Sequence, residues 1–264
     1  LNYMNLNLEN KKALVLSSSK GIGFAIAKSL ASEGCQVMMT SSSKKNLILA
    51  KKKIIYETGE EVKTFQLNIH NLNSVKKTLK KILKSGKIDI LILNAPGPKP
   101  TSLINSKFKD FQDAANQCFL NLIYICQEVI QKKYLNKNGK IINLSSTTGL
   151  EPEDDMVLSN ITRSALISYI KTASRELSKN SITFNSILTG GVMTDRTTTL
   201  LKMHAKKNKL NYKKVLRQAS ESIPAGFIAE PDYFVNFIIF LCSPLSGYLN
   251  GAAIPLDGGI MKSL

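Results

Sequence analysis

Short apolar runs alternate with helical patterns from one end of this chain to the other. Strand patterns fall at 13–16, 36–40, 62–68, 88–93, 140–144, 182–187 and 253–256. Between them lie a helical pattern ending near residue 31 and others at 44–58, 72–84, 110–134, 156–179 and 233–241. Adjacent parallel strands need a crossover of a dozen or more residues, and these helices supply it. The rhythm therefore predicts an α/β chain: one doubly wound parallel sheet with helices on both faces, in three layers.

The 264 residues are enough for one such domain, spanning 1–264. No linker, repeat or low-complexity stretch divides them. Residues 194–224, Lys-rich and less regular in pattern, read as an insertion near the end. No apolar run reaches the ~18 residues that a membrane span needs. Residues 1–9 are polar and mixed, unlike a signal peptide, and Met4 offers a natural start. A cytoplasmic protein is expected. Cys35, Cys118, Cys126 and Cys242 lack paired spacing and read as reduced, buried thiols. Neither Cys-x-x-Cys nor a His/Cys cluster occurs, so no metal site is expected.

The net charge is +17, but arginine supplies only Arg163, Arg175, Arg196 and Arg217 among the 36 basic residues. Readers of nucleic acid lean on arginine forks. The lysines at 51–53, 76–84 and 132–140 lie along helix faces without interleaved aromatics. They read as a solvated surface, with no nucleic-acid or membrane partner. Weak attraction to an anionic substrate or an acidic carrier protein stays open.

The first strand runs into Ser17-Ser18-Ser19-Lys20-Gly21-Ile22-Gly23. Gly21 would let backbone approach a pyrophosphate, and Gly23 would let the helix pack closely on the strand. The helix start supplies free N–H groups and a positive dipole end. A tight turn without ligand is the alternative. The second strand ends Thr40-Ser41-Ser42-Ser43-Lys44. NAD enzymes of this architecture place an acidic residue there for the ribose 2′-hydroxyl. Small hydroxyls with Lys20 and Lys44 suit a 2′-phosphate instead, so NADP(H) is expected over NAD(H).

These segments resemble the short-chain dehydrogenase/reductase family, in a divergent branch similar to 3-oxoacyl-[acyl-carrier-protein] reductases. The resemblance covers about residues 8–260. The first turn is similar to Thr-Gly-x-x-x-Gly-x-Gly, with Leu16 and Ser17 replacing Thr-Gly. Asn68 stands where the family has Asp. Asn94-Ala95-Pro96-Gly97-Pro98 stands for Asn-Ala-Gly. Ser146 matches the family serine, and Ser159 lies where the family tyrosine follows it. Ser159-Asn160-Ile161-Thr162-Arg163 thus occupies the place of Tyr-x-x-x-Lys. The family's asparagine falls near Cys118, with neither Asn116 nor Asn121 in register. The stretches 185–194, 229–232, 241–243 and 257–259 resemble the remaining landmarks.

The resemblance implies a single-domain Rossmann-type fold, with 194–224 as a substrate loop. It places Ser17, Ser19, Lys20, Gly21, Ile22, Gly23, Ser41, Ser42, Asn68, Asn94, Ala95, Arg163, Gly190, Val192 and Thr194 around NADP(H). It assigns catalysis to Ser146, Ser159 and Arg163. The expected activity is an NADP(H)-dependent oxidoreductase acting on a small-molecule carbonyl or alcohol through an atypical site. A serine is a far weaker acid than a tyrosine, whose pKa of about 10 can be tuned toward neutrality. Two alternatives stay open. One is a catalytically weak or inactive protein holding a dinucleotide or acyl ligand. The other is a dehydration or isomerisation with Arg163 gripping a substrate carboxylate. His204 and Tyr212 are the obvious proton donors in the insertion. The two long helices show apolar residues on more than one face (Ile123, Ile125, Val129; Leu166, Ile167, Ile170). The resemblance implies that they pair across two-fold axes in a homotetramer or homodimer.

Overall fold

A computed structural model describes residues 5–263, so Met4 lies outside the described residues. Its strands are β1 (Lys12–Val15), β2 (Gln36–Ser41), β3 (Lys63–Gln66), β4 (Ile88–Leu93), β5 (Leu135–Ser146), β6 (Thr183–Thr189) and β7 (Ala253–Leu256). The helices are α1 (Gly21–Ser32), α2 (Lys44–Thr58), α3 (Leu72–Leu83), α4 (Phe108–Ala115), α5 (Asn121–Gln131), α6 (Val157–Glu176), α7 (Asp195–Lys207), α8 (Tyr212–Glu221) and α9 (Asp232–Cys242). The strands form one sheet in the order β3-β2-β1-β4-β5-β6-β7, and every pairing is parallel. This is the expected doubly wound, Rossmann-type sheet. The order reverses between β1 and β4, which opens a crevice beyond their carboxyl ends.

Two apolar layers hold the helices to the sheet. On one face, Ile26 and Leu30 of α1, Leu47 and Ile54 of α2 and Phe234 and Ile238 of α9 pack on Val15, Met39 and Ile142. On the other, Val75, Leu79 and Ile82 of α3 join Leu122 and Val129 of α5, Leu166 and Ile170 of α6, and Leu14, Leu91 and Phe184. Lys-rich α3 shows how the sequence sets this up. Its apolar residues recur at helical spacing on one face, and the Asn71 side chain caps its start by accepting from the Ser74 N–H at 2.9 Å.

Two boundaries differ from expectation. The strand expected at 140–144 runs from Leu135 to Ser146. Asn136, Lys137, Asn138 and Gly139 read as loop. A bulge absorbs them, since Ile88 pairs with Leu135 while Ile90 pairs with Lys140. The single long helix expected at 110–134 is α4 and α5 joined by a π-helical turn at Asn116–Leu120. Such turns concentrate at functional sites.

The apolar residues expected to meet a second copy are mostly core. Ile125, Val129, Leu166, Ile167 and Ile170 are buried within the chain. The exposed large apolar side chains on these helices are Phe108, Leu120 and Ile161. Among the described residues no helix is long and apolar enough to cross a membrane.

All four cysteines are free and buried. Burial is the main cause that pushes the Cys35 and Cys126 thiols up to about 12, and it raises Cys118 and Cys242 as well. The thiolate is the reactive form. Ellman's reagent at neutral pH should therefore find no rapidly reacting thiol in the native protein and all four after unfolding in guanidinium chloride. Rapid modification of the native protein would contradict the burial described here.

Candidate functional site

The turn after β1 is built on a strained serine. Ser17 has φ 47°, in the left-handed region that favours glycine. Its N–H donates to Thr40 Oγ1 at 3.1 Å, and its carbonyl accepts from Asn94 Nδ2 at 3.1 Å. The ends of β1, β2 and β4 are thereby tied together. A Cβ on Gly23 would lie 2.7 Å from both Ser17 O and Asn94 Nδ2, so only glycine lets α1 start this close to the sheet. No side chain caps the start of α1, and its first N–H groups face the crevice with the positive end of the helix dipole.

At the β2 side, Ser19 Oγ donates to Ser41 Oγ at 2.9 Å. The Asn68 side chain accepts from the His70 N–H at 3.1 Å, so it braces its own loop. His70 joins the lining of the crevice, a position the sequence did not single out. Lys44 is exposed. Lys20 pairs with Asp195 of α7 at 2.7 Å.

The other end is organised around Arg163, which α6 presents with only 7% of its surface exposed. Its Nη1 donates to Leu144 O at 3.1 Å and its Nη2 to Ala95 O at 3.4 Å. Its Nε has no partner among the described residues. Side chains also claim the next carbonyls of the turn after β4. Pro96 O accepts from Gln117 Nε2 and from Cys118 Sγ, both on the π-helical turn. Gly97 O and Pro98 O accept from the guanidinium of Arg196. Cys118, near which the family asparagine is expected, thus braces this turn. Partial loss of solvent, and next the charge of Arg163, lower the pKa of Arg196.

Ser146 ends β5 and Ser159 lies in the first turn of α6, and both turn to Thr148. Ser146 Oγ accepts from the Thr148 N–H at 3.3 Å. The Ser159 and Thr148 hydroxyls lie 3.0 Å apart. The buried serine on the crevice wall is Ser145, whose Oγ is unpartnered among the described residues.

One cavity of about 390 Å³ connects these parts. Of the residues expected to hold a cofactor, Ser17, Ser19, Lys20, Gly21, Ile22, Gly23, Ser41, Ser42, Asn68, Asn94, Ala95, Arg163 and Thr194 line it. Gly190 and Val192 are not on its wall. The Gly190 N–H donates to Leu256 O at 3.1 Å and couples β6 to β7, while buried Val192 bridges to Ala229. His204 is exposed on α7 and Tyr212 opens α8, and neither reaches the lining. Arg196 was legible by the rarity that marks Arg163, because arginine is scarce in this chain. The roles of Ser145, Thr148 and Gln117 carried no such signal.

The family model described as Enoyl-(Acyl carrier protein) reductase matches residues 16–261. The chain belongs to the short-chain dehydrogenase/reductase family. The 3-oxoacyl-[acyl-carrier-protein] reductase FabG of Aquifex aeolicus is 29% identical over 259 residues, covering 97% of this chain and 100% of the relative. The NADPH-dependent reductase BacG of Bacillus subtilis is 27% identical over 259 residues, with 97% and 100% covered. The structure of L-sorbose reductase from Gluconobacter frateurii complexed with NADPH and L-sorbose aligns with a TM-score of 0.93 at 26% identity, covering 99% of this chain and 100% of that one. The family's dinucleotide fits the groups present here. Gly23 leaves a cradle that a Cβ would fill, the start of α1 is open, and the cavity runs from it to Arg163.

Left-handed backbone at a non-glycine residue costs on the order of 1 kcal/mol. Ser17→Gly relieves it and restores the family residue. The substitution should stabilise the protein by up to about 0.5 kcal/mol, after the greater freedom of glycine in the unfolded chain is offset. Thermal unfolding monitored by circular dichroism measures it, and a midpoint clearly below that of the parent would mean that Ser17 is not strained.

Proposed function

We propose that this chain is an NADP(H)-dependent oxidoreductase acting on a carbonyl or alcohol through a site rebuilt around Ser146, Ser159 and Arg163. The observation that carries the reading is the continuous cavity joining the turn after β1 to Arg163. The relatives add support, since BacG is named an NADPH-dependent reductase and the sorbose reductase was solved with NADPH.

Residues 17–23 would hold the pyrophosphate on backbone N–H groups, Asn68 the adenine, and Ser41, Ser42 and Lys44 the 2′-phosphate. Thr194 would meet the nicotinamide end. Once bound, the nicotinamide supplies hydride exchange with a carbonyl or alcohol carbon. The chain's own work is to orient the reactants, exclude water and manage one proton. Arg163 is suited to orientation, because its fork is fixed by two carbonyls and stays charged. Ser146 and Ser159 can steady a substrate oxygen if their hydroxyls turn from Thr148. Neither is a good general acid, so the proton comes from water in the cleft. Loss of a positioned acid lowers a rate by about 10²–10⁴, and slow turnover is expected. The engagement of Ser159 by Thr148 also favours a second reading, a dinucleotide-binding member with little or no turnover. Consumption of NADPH with a panel of ketones separates the two.

A homodimer or homotetramer, supported by exposed Leu120 and Ile161, is part of the same proposal.

Titration of NADPH and NADH, followed by nicotinamide fluorescence and melting temperature, tests the cofactor assignment. NADPH should bind at least about tenfold more tightly. Ser41→Asp puts a carboxylate at the end of β2, where it repels a 2′-phosphate and accepts from a 2′-hydroxyl. This variant should weaken NADPH binding by about tenfold or more and reverse the preference. Binding of neither dinucleotide at millimolar concentration would end the oxidoreductase proposal.

A further inference from the structure

The cavity carries more positive charge than its own walls neutralise. Its charged lining residues are Lys20, Arg163, Arg196 and Asp195. Lys20 and Asp195 pair with each other at 2.7 Å. Neither Arg163 nor Arg196 has an ion-pair partner among the described residues. The two guanidiniums bracket one turn, donating to Ala95 on one side and to Gly97 and Pro98 on the other. They are close enough for the charge of Arg163 to lower the pKa of Arg196. Carbonyl oxygens supply dipoles but no neutralising charge. Two like charges at one turn, Arg163 buried and Arg196 exposed, favour an anion that can meet both.

Two further polar groups on the same wall lack partners. Arg163 Nε and Ser145 Oγ are both unpartnered among the described residues, and both side chains are more than nine-tenths buried. Buried donors in native proteins are generally satisfied, and both of these side chains border the same space. Guanidinium forks pair best with planar two-oxygen anions.

We propose that Arg163 and Arg196, with the Ser145 hydroxyl, form a carboxylate-binding subsite at the chemical end of the cleft. The substrate is then a small oxo acid or hydroxy acid rather than a neutral ketone or alcohol. This rests on the oxidoreductase reading only for what happens after binding. The binding claim stands on the charge balance of the cavity. A phosphate of the dinucleotide has the same chemistry, and its cradle at the start of α1 touches Thr194 and Asp195 beside Arg196, so oxalate binding in the presence of saturating NADPH decides between the two.

Oxalate is the probe, with neutral oxamide as its control. Isothermal titration into the free protein and into protein saturated with NADPH should give saturable binding of oxalate in both, and none of oxamide. Arg196→Gln and Arg163→Gln should each weaken oxalate at least about tenfold, the scale of one charge-assisted hydrogen bond. Arg217→Gln removes the same charge from an exposed pair with Glu221 outside the cleft, and should bind oxalate like the parent. Because Arg163 is buried, its variant is scored only if it melts cooperatively. Exposed Arg196 keeps the test decisive if it does not. Oxalate binding abolished by saturating NADPH would mean that the arginines serve cofactor phosphates, and would overturn the proposal. Equal binding by Arg196→Gln, or no saturable binding by the parent, would also overturn it. If NADPH itself fails to bind, the oxidoreductase reading falls, and the oxalate titration of the free protein still judges the subsite.

Discussion

The grip of Arg163 on the carbonyls of Ala95 and Leu144 holds the chemical end of the cleft in shape. The turn after β4 contains Pro96 and Pro98, which have no N–H to donate. It is fixed through its acceptors instead, by Arg163, Gln117, Cys118 and Arg196 in succession. Truncating Arg163 would leave two strand-end carbonyls without their donor and release α6 from β5 at one point. A buried guanidinium is tolerable here because carbonyl dipoles solvate two of its nitrogens. Lysine would bring the same charge with a single nitrogen that cannot reach two divergent acceptors in a planar fork. Arginine at this position therefore follows from the proline-rich turn as much as from any ligand.

The other end is held by weaker means. Ser17 keeps a backbone conformation suited to glycine because Thr40 and Asn94 bind it from both sides. Lys20 and Asp195 tie the first turn of α7 across the mouth, yet both are exposed, and such pairs contribute only about 0–1 kcal/mol. Arg196, the next residue, adds a second attachment to Gly97 and Pro98. The insertion is thus anchored at its first turn, while α8 carries only one buried residue, Val215.

The fold was legible because parallel strands buried on both faces read as plain apolar runs, and every crossover carried a helical period. The boundaries of β5 were not, since a bulge containing Asn138 and Gly139 cannot be told from a loop by composition. The site was legible where it depends on backbone. The glycines of the first turn and the placement of Ser146 and Ser159 follow from spacing. It was not legible where side-chain reach decides. A tyrosine hydroxyl lies several ångströms farther from the backbone than a serine hydroxyl. Ser159, expected at the tyrosine position, reaches only as far as Thr148. Nor does a sequence reveal recognition of main-chain carbonyls by Gln117, Cys118 and Arg196, because the acceptors are not side chains. The apolar second face of α5 and α6 misled for a related reason. Helical spacing shows that a face is apolar, not whether this chain or another copy covers it.

The distribution of charge separates two physical roles that the net value of +17 conceals. Lysines on exposed helix faces create a long-range positive field that speeds the encounter with any anion, but salt screens it beyond about 8–10 Å. They cannot select, because a flexible ammonium accepts any oxygen. The arginines divide differently. Arg217 closes an exposed i,i+4 pair and Arg175 sits in the last turn of α6, both ordinary helix positions. Arg163 and Arg196 are fixed by two main-chain carbonyls each, at the cleft. A guanidinium so held has already lost its rotamer entropy, so a bound anion meets donors that need no further ordering. In the proposed subsite, selectivity for a substrate carboxylate comes from this preorganised pair, whatever the lysines bring near it.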